Sequence, residues 1–190
     1  FLFDQYEISK SAAYEEHINK YNVMVIDVTG FISVVKQSDG ELKISSVPNM
    51  ISAALKEELI DNCPELSDEN RLEDCLYKYV KLSKKKFIFI IDEWDALIRE
   101  AKDDENTQQA YLNLLRGLFK NSNLTPYVVA AAYMTGILPI KKDGSQSAIS
   151  DFREYTFLNP GPFGKYTGFT ENEVKALCDE YNMDFDLMKQ

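Results

Sequence analysis

Apolar residues in this chain fall into two kinds of run, and the way the two kinds alternate predicts the architecture. Val23 to Val28, Phe87 to Ile91 and Tyr127 to Met134 are apolar without alternation, as expected of strands covered by helices on both faces. Tyr155 to Leu158 is a weaker fourth strand candidate. Between these runs the apolar positions recur at helical spacing. Ile51, Ala54, Leu55 and Leu59 make one stripe, with Pro48 suited to a first turn and Pro64 marking a stop. Leu72, Cys75, Leu76 and Tyr79 make a second; Ala110, Tyr111, Leu114, Leu115 and Leu118 make a third, leading into Asn121-Ser-Asn and Pro126. Strand, helix, strand in this order predicts an α/β fold: a parallel sheet with right-handed crossovers.

Two segments stand apart from this scheme. Phe31 to Ser46 reads as an excursion, because Ser38-Asp39-Gly40 between two short alternating runs resembles a hairpin turn. Near the end, Thr170-Glu-Asn-Glu173 spells a capping box, with Phe169 and Val174 placed for a hydrophobic staple and Leu177, Cys178 and Tyr181 continuing an apolar face. Asp184 to Gln190 carries no clear signal, and the chain shows no internal repeat.

The chemistry concentrates at Phe87-Ile-Phe-Ile-Ile-Asp92-Glu93-Trp94-Asp95. In open parallel sheets ligands bind at the carboxyl ends of the strands, so an apolar run closed by Asp-Glu puts charge at the expected working edge. The run reads as a Walker B segment: Asp92 would serve a Mg²⁺ ion carried by a nucleoside triphosphate, and Glu93 would orient the attacking water. A plain strand exit also explains an acid at this place, and two adjacent acids followed by Trp94 and a third acid weigh against it. Asp92, Glu93 and Asp95 also admit a reading as a two-metal nuclease cluster, which needs further acids from other strands.

Composition narrows the choice. The 190 residues are 45% apolar, enough for one domain with a core, and no stretch approaches the ~20 continuous apolar residues of a membrane helix. Cys63, Cys75 and Cys178 are widely spaced and odd in number, which argues against a disulfide framework and a zinc cluster and fits a reducing cytoplasm. His17, the single histidine, lies in a charged stretch and reads as a surface residue. A net charge of −10 would repel a phosphate backbone, so no direct nucleic-acid binding is expected. The basic cluster Lys84-Lys85-Lys86 stands at the strand's entrance, at the edge opposite Asp92. The chain starts at Phe1 without an initiator Met and is expected to be a piece of a longer one.

Other polar residues at strand ends are candidates of lesser weight. Thr135, before Gly136, is placed to touch a γ-phosphate or the attacking water, or simply to cap a glycine-mediated strand exit. Asp27 and Thr29 end their own strand at the same edge, a structural pair with Asp27 a supporting neighbour of the site at most. Trp94 reads as core packing or a base-stacking ring. Of the arginines, Arg99 and Arg116 fall in helical patterns suited to ion pairs, and Arg153 is the better candidate for a finger acting in trans.

Taken together, Phe3-Asp-Gln-Tyr-Glu-Ile-Ser, Tyr21-Asn-Val-Met-Val-Ile-Asp-Val-Thr, Ile91-Asp-Glu-Trp-Asp-Ala, Met134-Thr-Gly-Ile-Leu-Pro-Ile and Gly168-Phe-Thr-Glu-Asn-Glu-Val resemble, in order, the AAA-ATPase-like family of predicted bacterial P-loop ATPases. The resemblance implies a three-layer parallel sheet of the ASCE P-loop NTPase type, ATP with Mg²⁺ as ligand, and often a following C-terminal nuclease-like domain. It implies Walker B roles for Asp92 and Glu93, a sensor role for Thr135, a core over residues 1–167 and the start of a helical lid over 168–190.

One part of the family pattern is missing. A Walker A loop grips phosphates with backbone N–H groups at a helix N-terminus and adds a Lys, and this chain has none. The nearest string, Gly161-Pro-Phe-Gly164-Lys165-Tyr166, has its glycines three apart and Tyr166 where the Mg²⁺-binding hydroxyl belongs. The expectation is therefore an ATPase in the full-length protein, with this piece supplying Walker B and sensor elements but inactive alone. A strand donated by another chain is one way to complete the sheet. The alternative is a degenerate NTPase-like module used for protein interaction.

Overall fold

The computed structural model describes residues 2–138 and 152–188. Two compact units divide the chain, Phe1–Asp151 and Phe152–Gln190.

The first unit is mixed α/β, built on β1 (Asn22–Asp27), β2 (Phe87–Asp92) and β3 (Val129–Met134), all parallel in the order β1-β2-β3. The apolar run that carries the acids is thus the central strand of the three. Register pairs Asn22 with Phe87 and Asp27 with Asp92, so β1 and β2 end level, each on an aspartate. On the other side the register slips between Phe87 and Ile88, with Ala130 as the extra residue of β3.

Burial in the sheet alternates. Met24, Ile26, Phe87, Phe89 and Ile91 are buried, whereas Val23 and Val25 on the opposite face are 56% and 62% exposed. The expectation of strands covered on both faces is therefore corrected: among the described residues only one face of β1 is covered. On that face the Phe87 and Phe89 rings lie tilted with centroids 5.8 Å apart, and Phe89 meets Phe119 edge to face at 5.5 Å.

The helices of this unit are α1 (Tyr14–His17), α2 (Val28–Lys36), α3 (Val47–Asn62), α4 (Leu72–Ser83), α5 (Ala96–Glu100), α6 (Glu105–Phe119) and α7 (Thr125–Val128). Helix α3 starts with Pro48 in its first turn and stops at Asn62, two residues before Pro64. Its stripe of Ile51, Leu55 and Leu59 is buried, as are Leu72, Cys75 and Leu76 of α4 and Tyr111, Leu115 and Leu118 of α6.

Two further expectations fail in this unit. The proposed hairpin over Phe31 to Ser46 is the helix α2 followed by a turn. Asp27 caps α2 by accepting from the Gly30 N–H at 3.0 Å, and Val28, Ile32 and Val35 are buried at helical spacing. The turn at Ser38-Asp39-Gly40 is real, with Asp39 and Gly40 at φ +50° and +89°, but it ends a helix. Tyr127 and Val128, expected in a strand, form the turn α7 that begins beside Pro126, so β3 starts at Val129.

In the second unit, Tyr155 to Leu158 is no strand. It holds an isolated antiparallel bridge between Thr156 and Asn159, with Phe157 91% and Leu158 97% exposed. Gly161–Phe163 is a 3-10 turn against which the Tyr155 ring packs, its centroid 4.9 Å from that of Phe163. Helices α8 (Glu171–Tyr181) and α9 (Phe185–Met188) follow. The capping box of α8 is complete: the Thr170 hydroxyl accepts from the Glu173 N–H, and the Glu173 carboxylate accepts from the Thr170 N–H at 2.7 Å. Phe169 is 75% exposed, so the staple beside it buries little.

Candidate functional site at the strand ends

Chain reversal after β2 sets the site. Glu93 takes a left-handed backbone, φ +51°, a conformation a non-glycine residue adopts only when its surroundings hold it. Its carbonyl accepts from the Ala96 N–H at 2.9 Å, and α5 begins there. The ladder between β2 and β3 continues past the last strand residues, with the Thr135 N–H on the Ile91 carbonyl and the Trp94 N–H on the Thr135 carbonyl, both 2.9 Å. Thr135 is therefore locked against the turn that carries the acids.

The Asp92 and Thr135 side chains meet at this edge, joined by the backbone N–H of Glu93, whose own carboxylate lies on Arg99. The Thr135 hydroxyl donates to Asp92 Oδ1 and accepts from the Glu93 backbone N–H at 3.1 Å. Asp92 is exposed, and Asp27 stands beside it in register. Asp27 is engaged as the α2 cap, and the Thr29 hydroxyl, followed by the Gly30 N–H, holds its carboxyl below the ordinary value of 3.8.

Asp95 behaves differently from its neighbours. It is fully buried, and its oxygens accept from the Ile137 N–H at 3.2 Å, the Leu138 N–H at 2.9 Å and Arg99 Nε at 2.9 Å. It clamps the loop after β3 to the turn after β2. Gly136 makes the clamp possible, because a Cβ there would lie 2.5 Å from Asp95 Oδ1 and 2.6 Å from Trp94 Cδ1. With its oxygens committed, Asp95 is not free for the two-metal cluster considered above, and among the described residues no group of three or more His, Cys, Asp or Glu side chains is placed to hold a metal.

Sequence reasoning expected Arg99 in an ion pair without naming its partners, and it missed Tyr111 as a neighbour of the site. Arg99 bridges two acids, donating from Nη2 to Glu93 and from Nε to Asp95. The i, i+4 spacing of Asp95 and Arg99 was a usable signal; the bond to Glu93 was not, since it depends on the left-handed turn. Tyr111 reaches the neighbourhood of Asp95 from α6. Its hydroxyl is buried without a hydrogen-bond partner among the described residues, and burial, with the Asp95 charge adding, pushes its pKa up. Trp94 is buried beside Gly136, which settles it as packing.

Elsewhere, Arg153 is exposed in irregular chain, and the Gly161 to Tyr166 string is the turn packed on Tyr155, with no strand leading into it. Lys86 donates to the Pro126 carbonyl at 2.8 Å, at the entrance of β2 and away from Asp92.

A family model described as predicted AAA-ATPase, AAA-ATPase-like, matches residues 1–145. The chain belongs to the AAA-ATPase-like family. No curated protein and no solved structure matches it. Family membership accords with nucleotide and Mg²⁺ use in general, and the parallel sheet of this AAA-ATPase-like chain is compatible with a P-loop-like fold. No described helix is long and apolar enough to cross a membrane.

Proposed function

We propose that this chain supplies the Walker B and sensor elements of a Mg²⁺-dependent ATPase whose phosphate-gripping loop comes from another part of the full-length protein. The observation that carries this reading is the meeting of Asp92, Glu93 and Thr135 at the carboxyl ends of two adjacent parallel strands, with Asp92 exposed and hydrogen-bonded to Thr135. Family membership supports it.

The donor set fits the metal. Mg²⁺ takes hard oxygen ligands and is usually held by one or two carboxylates together with substrate phosphates and waters, so an exposed carboxylate next to a hydroxyl suffices where a full protein cage is absent. Bound there, the ion would neutralise charge on the transferring phosphoryl group. Asp92 would hold it, with Thr135 placed to feel the terminal phosphate. Glu93 would accept a hydrogen bond from the attacking water and so raise its nucleophilicity.

The strand order supports an ASCE arrangement. Among the described residues β3 is the outer strand on this side of the sheet, the side on which an ASCE sheet carries the Walker A strand. Such a strand would come from the same protein or be donated by another copy. Residues 168–190 would then begin the lid, and a nuclease-like domain would follow. The competing reading, a degenerate module used for protein interaction, is favoured by the missing Walker A loop.

The test is ATP turnover by the full-length protein carrying Glu93→Gln. Binding of ATP is retained and turnover falls by about two orders of magnitude or more, the scale of a lost general base; unchanged turnover removes Glu93 from the chemistry.

A further inference from the structure

The ATPase reading leaves unused the one cation that touches its acids in the described structure. Arg99 lies on α5 and forks, with Nη2 on Glu93 Oε2 and Nε on Asp95 Oδ2. The two ends of the fork differ. Asp95 is fully buried and held by two backbone N–H groups from the loop after β3, so it is a fixed anchor. Glu93 is partly exposed, stands on a left-handed backbone residue, and has its N–H on the hydroxyl of Thr135. It is the end that can move.

A carboxylate bound to a guanidinium is a poor acceptor for a proton from water, because its charge is already shared in a strong charge-assisted hydrogen bond. Resting on the ATPase reading, we propose that Arg99 is a positioning residue: anchored on Asp95, it holds Glu93 away from the attacking water, and hydrolysis requires Glu93 to leave it. The trigger is built into the same contacts. Thr135 bonds both Asp92 and the Glu93 N–H, and its loop continues into the two N–H groups that hold Asp95. A phosphate that draws the Thr135 hydroxyl away loosens the Glu93 backbone while leaving the Arg99 anchor in place.

The experiment measures kcat and KM for ATP in the full-length protein with Arg99→Met, Arg99→Lys, Glu93→Gln and the Arg99→Met/Glu93→Gln pair. Arg99→Met raises kcat about two- to fivefold, the range for releasing a partly exposed ion pair, and leaves KM unchanged. Arg99→Lys keeps the charge but not the fork, so it raises kcat less, in the same direction. The double variant is as slow as Glu93→Gln alone, because the gain passes through Glu93. A fall in kcat with Arg99→Met at an unchanged melting temperature overturns the proposal and makes Arg99 an aid to catalysis. If Arg99→Met does not fold, Arg99→Lys decides, and turnover at or below wild type overturns it. Failure of the ATPase reading is distinct: turnover is then absent in the wild type or undiminished by Glu93→Gln.

Discussion

Thr135, one residue past the end of β3, donates its hydroxyl to Asp92, the last residue of β2, and the same oxygen accepts the backbone N–H of Glu93. One hydroxyl thus joins two strands and both acids of the candidate site. Thr135→Val keeps the shape and strands the Glu93 N–H. A loss of about 1 kcal/mol in urea unfolding is expected, with Thr135→Ser close to wild type because it retains the hydroxyl.

Gly136 follows, and its missing side chain is what lets the β3 loop lie on Trp94 and Asp95. Alanine there would sit 2.5 Å from Asp95 Oδ1 and 2.7 Å from Trp94 Nε1. Gly136→Ala should cost about 1–3 kcal/mol as an overpacking change. Trp94 is the only tryptophan in the chain, so its fluorescence reports the displacement directly, and an unshifted spectrum at unchanged stability would disprove the close approach.

Tyr111 carries a buried hydroxyl with no partner among the described residues, next to the charge of Asp95. Tyr111→Phe should be neutral or stabilising by up to roughly 1 kcal/mol at neutral pH, because no hydrogen bond is lost with the oxygen. Burial raises the phenol's pKa above its ordinary 10.0 in the folded chain, while the unfolded phenol ionises at the ordinary value. Stability is therefore present in full below about pH 10 and declines above it. Urea midpoints from pH 8 to 11 should fall more steeply for the wild type than for Tyr111→Phe.

Asp27 works in the opposite direction. Its carboxyl, bonded to the Thr29 hydroxyl and the Gly30 N–H, titrates below the ordinary 3.8 when folded, so its contribution is present above that value and lost as pH falls through the lowered one. Asp27→Ala should cost about 1 kcal/mol at neutral pH as a lost helix cap. In acid the difference between wild type and variant shrinks, and a difference constant from pH 2 to 7 would show that Asp27 does not cap as a carboxylate.

How much of this was legible in the sequence depends on how local the cause is. The run from Phe87 to Ile91 closed by Asp92 announced a buried strand with charge at its tip, and the prolines bracketing α3 and the capping box of Thr170 and Glu173 marked real helix ends. Each is written within a few residues. Helix α2 was misread because Val28, Ile32, Val34 and Val35 are β-branched; the Asp27 cap and burial at helical spacing outweigh that propensity. Tyr155 to Leu158 had a strand's composition, but a strand needs a neighbour to pair with, which composition does not provide. Asp92 was placed at the strand tip because the run that delivers it is a strand. Asp95 read as a third acid of the motif, or as part of a metal cluster, because its partners, Ile137 and Leu138, arrive from a loop more than 40 residues away.

Metal contact at Asp92 is the central claim, and Mn²⁺ in place of Mg²⁺ makes it visible. Electron paramagnetic resonance of the full-length protein with Mn²⁺ and ATP should show Asp92→Ala weakening bound metal–nucleotide about tenfold or more, while metal-free ATP binding stays near wild type. Mn²⁺ and ATP bound by Asp92→Ala as tightly as by the wild type would contradict the assignment of this strand end as the metal-bearing edge of a nucleotide site.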